Sequence, residues 1–104
     1  MSAFTIDITQ HLEDSPKFLK IHDHTFKVND RKNTVIRIQQ KLEEGATLET
    51  MNQVLEFALG KEAVDYIEEL DLTMQGFQNI FIGVMSCINA MSYEETEKRF
   101  RNVF

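Results

Sequence analysis

The sequence predicts an α+β fold, with an N-terminal β-hairpin packed beside a small bundle of four to five α-helices. Two short runs of strand-forming residues, FLKI and TFKV, stand on either side of His22 and Asp23, as in a hairpin. From residue 31 onwards, apolar residues recur at intervals of three and four, which is the spacing of amphipathic helices. A chain of 104 residues is expected to form a single domain, 1–104. Its predicted parts are 1–16, 17–30 and 31–104.

The first part, 1–16, is predicted to form a strand or an extended arm. The stretch AFTIDIT alternates apolar and polar residues, with Phe4, Ile6 and Ile8 on one side. This period of two is typical of a strand, which would give the hairpin a third strand. The residues after it can form a helical turn following Thr9, which Pro16 stops.

The hairpin, 17–30, is predicted to turn at His22 and Asp23. A two-residue turn keeps the apolar side chains of both strands on one face, whereas a three-residue loop would separate them. Leu19 then pairs with Phe26, and Ile21 with His24. Because the usual Asn-Gly is absent, we expect Asp23 to take the left-handed conformation. The apolar face of the hairpin comprises Leu19, Ile21, Phe26 and Val28.

The next two elements are predicted as helices from their caps and their apolar stripes. Asp30 or Asn33 is the expected cap of the first helix, which Gly45 ends. Thr47 is the expected cap of the second helix, with Gly60 after it. The first stripe comprises Val35, Ile38 and Leu42, and the second comprises Leu48, Met51, Leu55 and Leu59.

Three more helices complete the prediction. A short acidic helix runs from Lys61 to about Leu70, with Val64 and Ile67 facing inward. A fourth helix starts near Thr73 and has the clearest amphipathic pattern in the chain. The last helix begins at SYEE, where Ser92 and Glu95 have the spacing of a capping box, and it extends to Arg101 or beyond. The apolar stripe of the fourth helix comprises Phe77, Ile80, Phe81, Val84, Ile88 and Met91.

The net charge of -6 is unevenly distributed along the chain. Residues 1–42 contain seven basic and five acidic residues, residues 43–71 one and nine, and residues 72–104 three of each. The acidic middle third would repel nucleic acid, so no nucleic-acid partner is expected. With one cysteine, no secretory signal and no apolar run long enough to span a bilayer, we expect a cytoplasmic protein without a membrane partner.

The triplet His22-Asp23-His24 is the one sequence feature that could carry metal chemistry. Two imidazoles in a strand would share a face, and His11 is the only further histidine. A zinc site needs three or four ligands, however, so a turn with no metal is the favoured interpretation. Cys87 lies in a mostly apolar helix and is interpreted as a small buried residue rather than a reactive thiol. No catalytic motif or glycine-rich phosphate loop is present, so we expect neither enzymatic activity nor a cofactor.

The eight phenylalanines and five methionines predict apolar contact surface beyond the needs of a small core. Aromatic residues at a chain end indicate a partner or self-association, although each could also dock on the core of its own chain. The predicted partner-binding residues are Phe77, Phe81, Phe100, Val103 and Phe104.

Three stretches together resemble the small tail assembly chaperones of long-tailed, siphovirus-type phages, especially those of Gram-positive hosts. They are KFLKI, HTFKVND and KNTVIRI in the first part, then LGKEAVDYIEELDLTMQGFQNIFIGVMSCI, and finally SYEETEKRF. The resemblance covers roughly Lys17 to Phe100. His22-Asp23 departs from it, because the family pattern would place an Asn-Gly-like turn there.

The resemblance implies a viral or prophage protein that binds the tape measure protein, keeps it soluble and helps recruit the tail tube protein. Such chaperones act in the host cell cytoplasm, are non-catalytic and are absent from the mature virion. They can self-associate, and a programmed frameshift often makes a longer form. The alternatives are a small protein-binding adaptor or regulatory domain of phage or prophage origin, and a metal-dependent function through His11, His22 and His24.

Overall fold

The computed structural model describes residues 3–12 and 15–103, and the side chain of Val103 is outside this description. Within these ranges a two-stranded antiparallel hairpin is followed by five helices, which confirms the predicted α+β fold. A single 3₁₀ turn, Thr9–Leu12, precedes the hairpin, as predicted after Thr9. The strands are β1 (Lys17–Ile21) and β2 (His24–Val28), and the helices are α1 (Lys32–Glu43), α2 (Leu48–Leu59), α3 (Lys61–Glu69), α4 (Met74–Asn89) and α5 (Tyr93–Val103).

The hairpin has the predicted register and turn length. Leu19 pairs with Phe26 and Ile21 with His24 across a two-residue turn. The left-handed residue is His22, with φ of 56°, and not Asp23, so that prediction is wrong. A positive φ at the first central residue alone is the pattern of a type II′ turn, in which that position normally holds glycine.

The apolar face of the hairpin packs on α2 and α4. Val28 is fully buried, while Leu19, Ile21 and Phe26 are half-buried. The fit on α4 is close at Gly83, since a Cβ built there would lie 3.0 Å from Leu19 Cδ1. On the other side, the Asn29 amide donates a hydrogen bond of 2.8 Å to the Ala58 carbonyl at the end of α2. Backbone and side chains together therefore hold the hairpin on the helices.

The start of α1 differs from the prediction that Asp30 or Asn33 caps it. Arg31 is the N-cap residue, with extended backbone and no side-chain cap. Asp30 instead forms an ion pair with Lys17, in which Lys17 Nζ lies 3.0 Å from Asp30 Oδ2. Asn33 lies within the first turn of the helix. The carboxylate is thus used to tie the beginning of β1 to the segment before α1.

The caps predicted at Thr47 and Ser92 are present, and Thr73, near the predicted start of the fourth helix, also caps its helix. Thr47 and Thr50 form a reciprocal capping box at α2, and the Thr73 hydroxyl accepts from Gly76 N at 3.1 Å at α4. The Ser92 hydroxyl accepts from Glu95 N at 3.1 Å at α5. These helices surround one core, whose buried members are Val28, Ile38, Met51, Val54, Leu55, Ala58, Ile67, Phe81 and Val84.

The N-terminal arm, defined here as Ala3–Leu12, does not join the sheet. Residues 3–8 have no regular secondary structure, so the third strand allowed by the sequence is not formed within the described residues. Phe4 is 88% exposed and Ile6 69%. The radius of gyration is 16.4 Å, above the ~13 Å of a compact domain of this size. Among the described residues, no helix combines the length and apolar character needed to cross a bilayer.

Candidate protein-binding surfaces

An apolar groove of about 300 Å³ lies between α4 and α5. We call it the α4–α5 groove. At its base the Phe100 ring lies against the Phe81 ring, with centroids 5.8 Å apart and planes inclined by 53°. Its wall contains two methionines, whose unbranched side chains adapt to different contact shapes. The lining residues are Leu42, Phe81, Ile82, Met85, Asn89, Met91, Thr96, Arg99 and Phe100.

The predicted partner-binding residues have different environments in the structure. Phe81 is only 2% exposed and belongs to the core, so it supports the groove and offers almost no surface to a partner. Phe100 is half-buried and lines the groove directly. Phe77 is half-buried and lies in a different cleft. The Val103 side chain and Phe104 lie outside the described residues, and their predicted role stays a prediction.

The second cleft, of about 200 Å³, lies where α2, α3 and α4 meet. Phe77 and Leu72 form part of its wall, and Leu48 and Met74 are about half exposed at its edge. Leu48 belongs to the predicted apolar stripe of α2, whereas Met74 was not among the predicted surface residues. Both residues occupy the first position of their helices, where a side chain can lie beyond the packed face. An apolar residue at the first position of a helix is therefore the sequence feature from which the exposure of Leu48 and Met74 could have been predicted.

The predicted acidic surface is carried by α3 and the turn after it. Five exposed carboxylates lie there: Glu62, Asp65, Glu68, Glu69 and Asp71. Glu68 and Asp71 also line the second cleft, so one apolar depression has a negatively charged rim. Such a rim favours a partner with basic residues beside its apolar ones.

The His22-Asp23-His24 triplet is a turn whose second histidine packs on a helix. His24 Nδ1 lies 2.9 Å from Asp23 Oδ1, and this hydrogen bond lowers the pKa of the Asp23 carboxyl. The His24 ring also lies 4.1 Å from the Tyr66 ring of α3. Within the described part of the chain, no group of three or more His, Cys, Asp or Glu side chains could hold a metal ion. The triplet therefore contributes to packing through His24.

Cys87 lies where α4 meets the hairpin and is half-buried. Its thiol donates a hydrogen bond of 3.7 Å to the Phe18 carbonyl of β1. Burial raises the pKa of this thiol, so at neutral pH it is protonated and can act as the donor. The contact is structural and joins helix to strand.

A comparison with protein-family models, with curated proteins and with solved structures found no match in any of the three. Function is therefore inferred from the surfaces described above and from the sequence resemblance.

Proposed function

We propose that the protein is a non-catalytic tail assembly chaperone of a long-tailed phage or prophage. It binds the tape measure protein in the host cytoplasm, keeps it soluble and helps to recruit tail tube subunits. The support from sequence is the resemblance over roughly Lys17 to Phe100. The support from structure is the type of surface available, which suits protein segments.

The α4–α5 groove is the observation that carries this proposal. Six of its nine lining residues are apolar; the other three are Asn89, Arg99 and Thr96, which is buried and donates its hydroxyl to the Ser92 carbonyl. An amphipathic helix binds such a groove by placing a few apolar side chains in it. Methionines allow the same groove to accept successive, non-identical turns of a long helical client.

The size of the groove fits a client that is held and later released. A volume of about 300 Å³ is at the small end for binding cavities, which run from ~300 to 1,000 Å³. Each copy then contributes modest affinity, and firm binding of a long client requires several copies along it. Release during tube assembly needs only competition for individual grooves.

Co-expression with the tape measure protein tests the proposal. We expect the client to be soluble and to co-purify with the chain. Phe100→Ala should weaken the complex about tenfold or more, because an aromatic contact of about 1.4 kcal/mol or above is lost. Met91→Glu, at another lining residue of the groove, should have a similar effect without removing the ring that contacts Phe81.

Phe18→Ala is the matched control, because Phe18 is 56% exposed on the outer face of the hairpin and is not one of the lining residues of the groove. It should leave client binding unchanged. Thermal unfolding would establish that each variant is folded. A client that stays insoluble and unbound beside the wild-type chain would refute the proposal, and equal binding by the groove variants and the control would refute the assigned surface.

A further inference from the structure

The N-terminal arm has the residue pattern of a strand but pairs with no strand in the described part of its own chain. Phe4, Ile6 and Ile8 alternate with polar residues, and all three are exposed. Local hydrogen bonds fix the backbone where the arm meets its 3₁₀ turn. There Asp7 Oδ1 accepts from the Thr9 amide at 3.0 Å and from the Thr9 hydroxyl at 2.6 Å. Exposed alternation of this kind is normally covered by another strand or another molecule.

The outer edge of β2 is the more open of the two hairpin edges. On β1, the Phe18 carbonyl already accepts from the Cys87 thiol. Within the described residues, His24 to Val28 make no backbone hydrogen bond outside the hairpin, whereas the amide of Asn29, the next residue, donates to the Ala58 carbonyl of α2. The amide and carbonyl groups of β2 that point away from β1 are therefore available for a further strand as far as Lys27.

A cavity of about 450 Å³ opens at the end of β2. It lies between the residues that follow the strand and the last turn of α2, where Phe57 and Leu59 supply apolar wall. It therefore continues the open edge with space for a large side chain. The lining comprises Ser15, Pro16, the segment 27–31 and the segment 57–60.

We propose that the arm of one copy adds to the outer edge of β2 in a second copy as an antiparallel strand. The alternation of faces fixes a register in which Ile6 lies beside Val28 and Ile8 beside Phe26. Phe4 then reaches past the end of the strand to the cavity. On the solvent face the same register sets Asp7 opposite Lys27.

Charge complementarity supports this register. Asp7 is the only acidic residue of the arm. Lys27 is exposed on the outer face of β2 and forms no ion pair within the described part of the chain. A pair of opposite charges directly across two strands is favourable.

Chain geometry favours a second copy over the arm's own hairpin. An arm antiparallel to β2 would run parallel to β1, so its own chain would have to cross back from Ile8 to Lys17. Only residues 9–16 are available, and part of that segment is the 3₁₀ turn. Parallel strands normally need a crossover of about a dozen residues or more. A second copy meets no such limit.

The exchange also provides enough contact area when it is reciprocal. Each arm presents four large exposed apolar side chains, Phe4, Ile6, Ile8 and Leu12. A stable interface buries on the order of 1,600 Å², and a reciprocal exchange doubles the area that one arm contributes. The expected assembly is a twofold dimer with two exchanged arms.

Disulfide trapping tests the register directly. In a Cys87→Ser background, Asp7→Cys with Lys27→Cys should form a covalent dimer on mild oxidation, because opposite residues lie about 5 Å apart at Cα, within disulfide range. Asp7→Cys with Lys20→Cys is the matched control, since Lys20 is also an exposed lysine of the hairpin but lies on β1. An Asp7→Cys copy can also be mixed with a copy that carries a single hairpin cysteine. A covalent dimer should then form with the Lys27→Cys copy and not with the Lys20→Cys copy.

A monomeric intramolecular disulfide would show that the arm covers its own hairpin and would overturn the proposal. So would equal trapping in the control. Sedimentation provides an independent measurement: the wild-type chain should be dimeric, and Ile6→Asp should raise the dimer dissociation constant at least ~30-fold. Thr5→Asp, on the opposite face of the arm, should raise it far less. A wild-type chain that is monomeric at roughly 100 μM would also exclude the exchange.

Discussion

The N-terminal arm and the hairpin have the same sequence pattern but different environments. Both alternate apolar and polar residues, yet the alternating residues of the hairpin reach the core and those of the arm remain exposed. The hairpin has α2 and α4 beneath it, a hydrogen bond from Asn29 to Ala58 and an ion pair from Lys17 to Asp30. Among the described residues, the arm makes no equivalent hydrogen bond or ion pair to the rest of the chain. Alternation therefore identifies an apolar face, while the rest of the chain determines whether that face is covered.

The largest expected difference between the two regions concerns phenylalanine removal. Phe81→Ala should lower the free energy of unfolding by about 3–5 kcal/mol, because it leaves a cavity in a packed core. Phe4→Ala, the same chemical change in the arm, should alter the unfolding of a single chain by less than about 0.5 kcal/mol. Chemical denaturation at a concentration low enough to keep the chain monomeric measures both. Comparable losses would mean that the arm is packed.

A smaller effect is expected at the contact between the hairpin and α4. Gly83→Val should destabilise by about 1–3 kcal/mol, since added methyl groups would overlap Leu19 Cδ1. Gly83→Ala should be nearly neutral, because its gain in helix propensity offsets a small shift of a flexible side-chain end. Thermal unfolding of both variants, and of Gly83→Val combined with Leu19→Ala, provides the measurement. If the second substitution does not recover stability, the hairpin is not seated on Gly83.

The turn offers a stabilising substitution of about 1 kcal/mol. His22→Gly should raise the unfolding free energy, since glycine accepts a φ of 56° without the strain of a side chain. Asp23→Gly should not stabilise, because Asp23 lacks a positive φ and would lose its hydrogen bond to His24. Paired denaturation curves distinguish the two positions. A gain at Asp23 and none at His22 would reverse the assigned turn geometry.

The smallest expected effect is a pH dependence at the root of the hairpin. The hydrogen bond from Lys17 holds the pKa of the Asp30 carboxyl below its ordinary 3.8. The resulting stability is present above about pH 3.8 and is lost as the pH falls through the lower folded-state value. Because both side chains are about one-third exposed, the loss should be at most about 0.5 kcal/mol. Asp30→Asn should remove this part of the acid sensitivity, and identical pH profiles for both proteins would contradict the assignment.

Most of the fold could be predicted from local chemistry. The hairpin register follows from the period of two, and the caps at Thr47, Thr73 and Ser92 follow from hydroxyl side chains before helical stripes. The prediction that Asp30 caps α1 was wrong, because its carboxylate forms an ion pair with Lys17, a cation distant in sequence. Tertiary competition of that kind leaves no local signal.

The candidate surfaces could be predicted only in part. Phe77 and Phe81 belong to the same apolar stripe of α4, yet Phe77 is half-buried at the second cleft and Phe81 is buried in the core. Both residues fit the helical period, and the period cannot tell the buried side of a stripe from its edge. The arm has the alternation of a strand, but residues 3–8 form no regular secondary structure, because alternation alone does not provide a neighbouring strand to pair with.

The bond between Cys87 and the Phe18 carbonyl has a practical consequence. A half-buried, protonated thiol reacts slowly with a maleimide or an aromatic disulfide, and it reacts faster only when β1 separates from α4. The ratio of the native labelling rate to that of the unfolded chain thus gives the population of this open form. The labelling rate of Cys87 therefore reports local opening between β1 and α4. A partner bound to the hairpin should lower this rate.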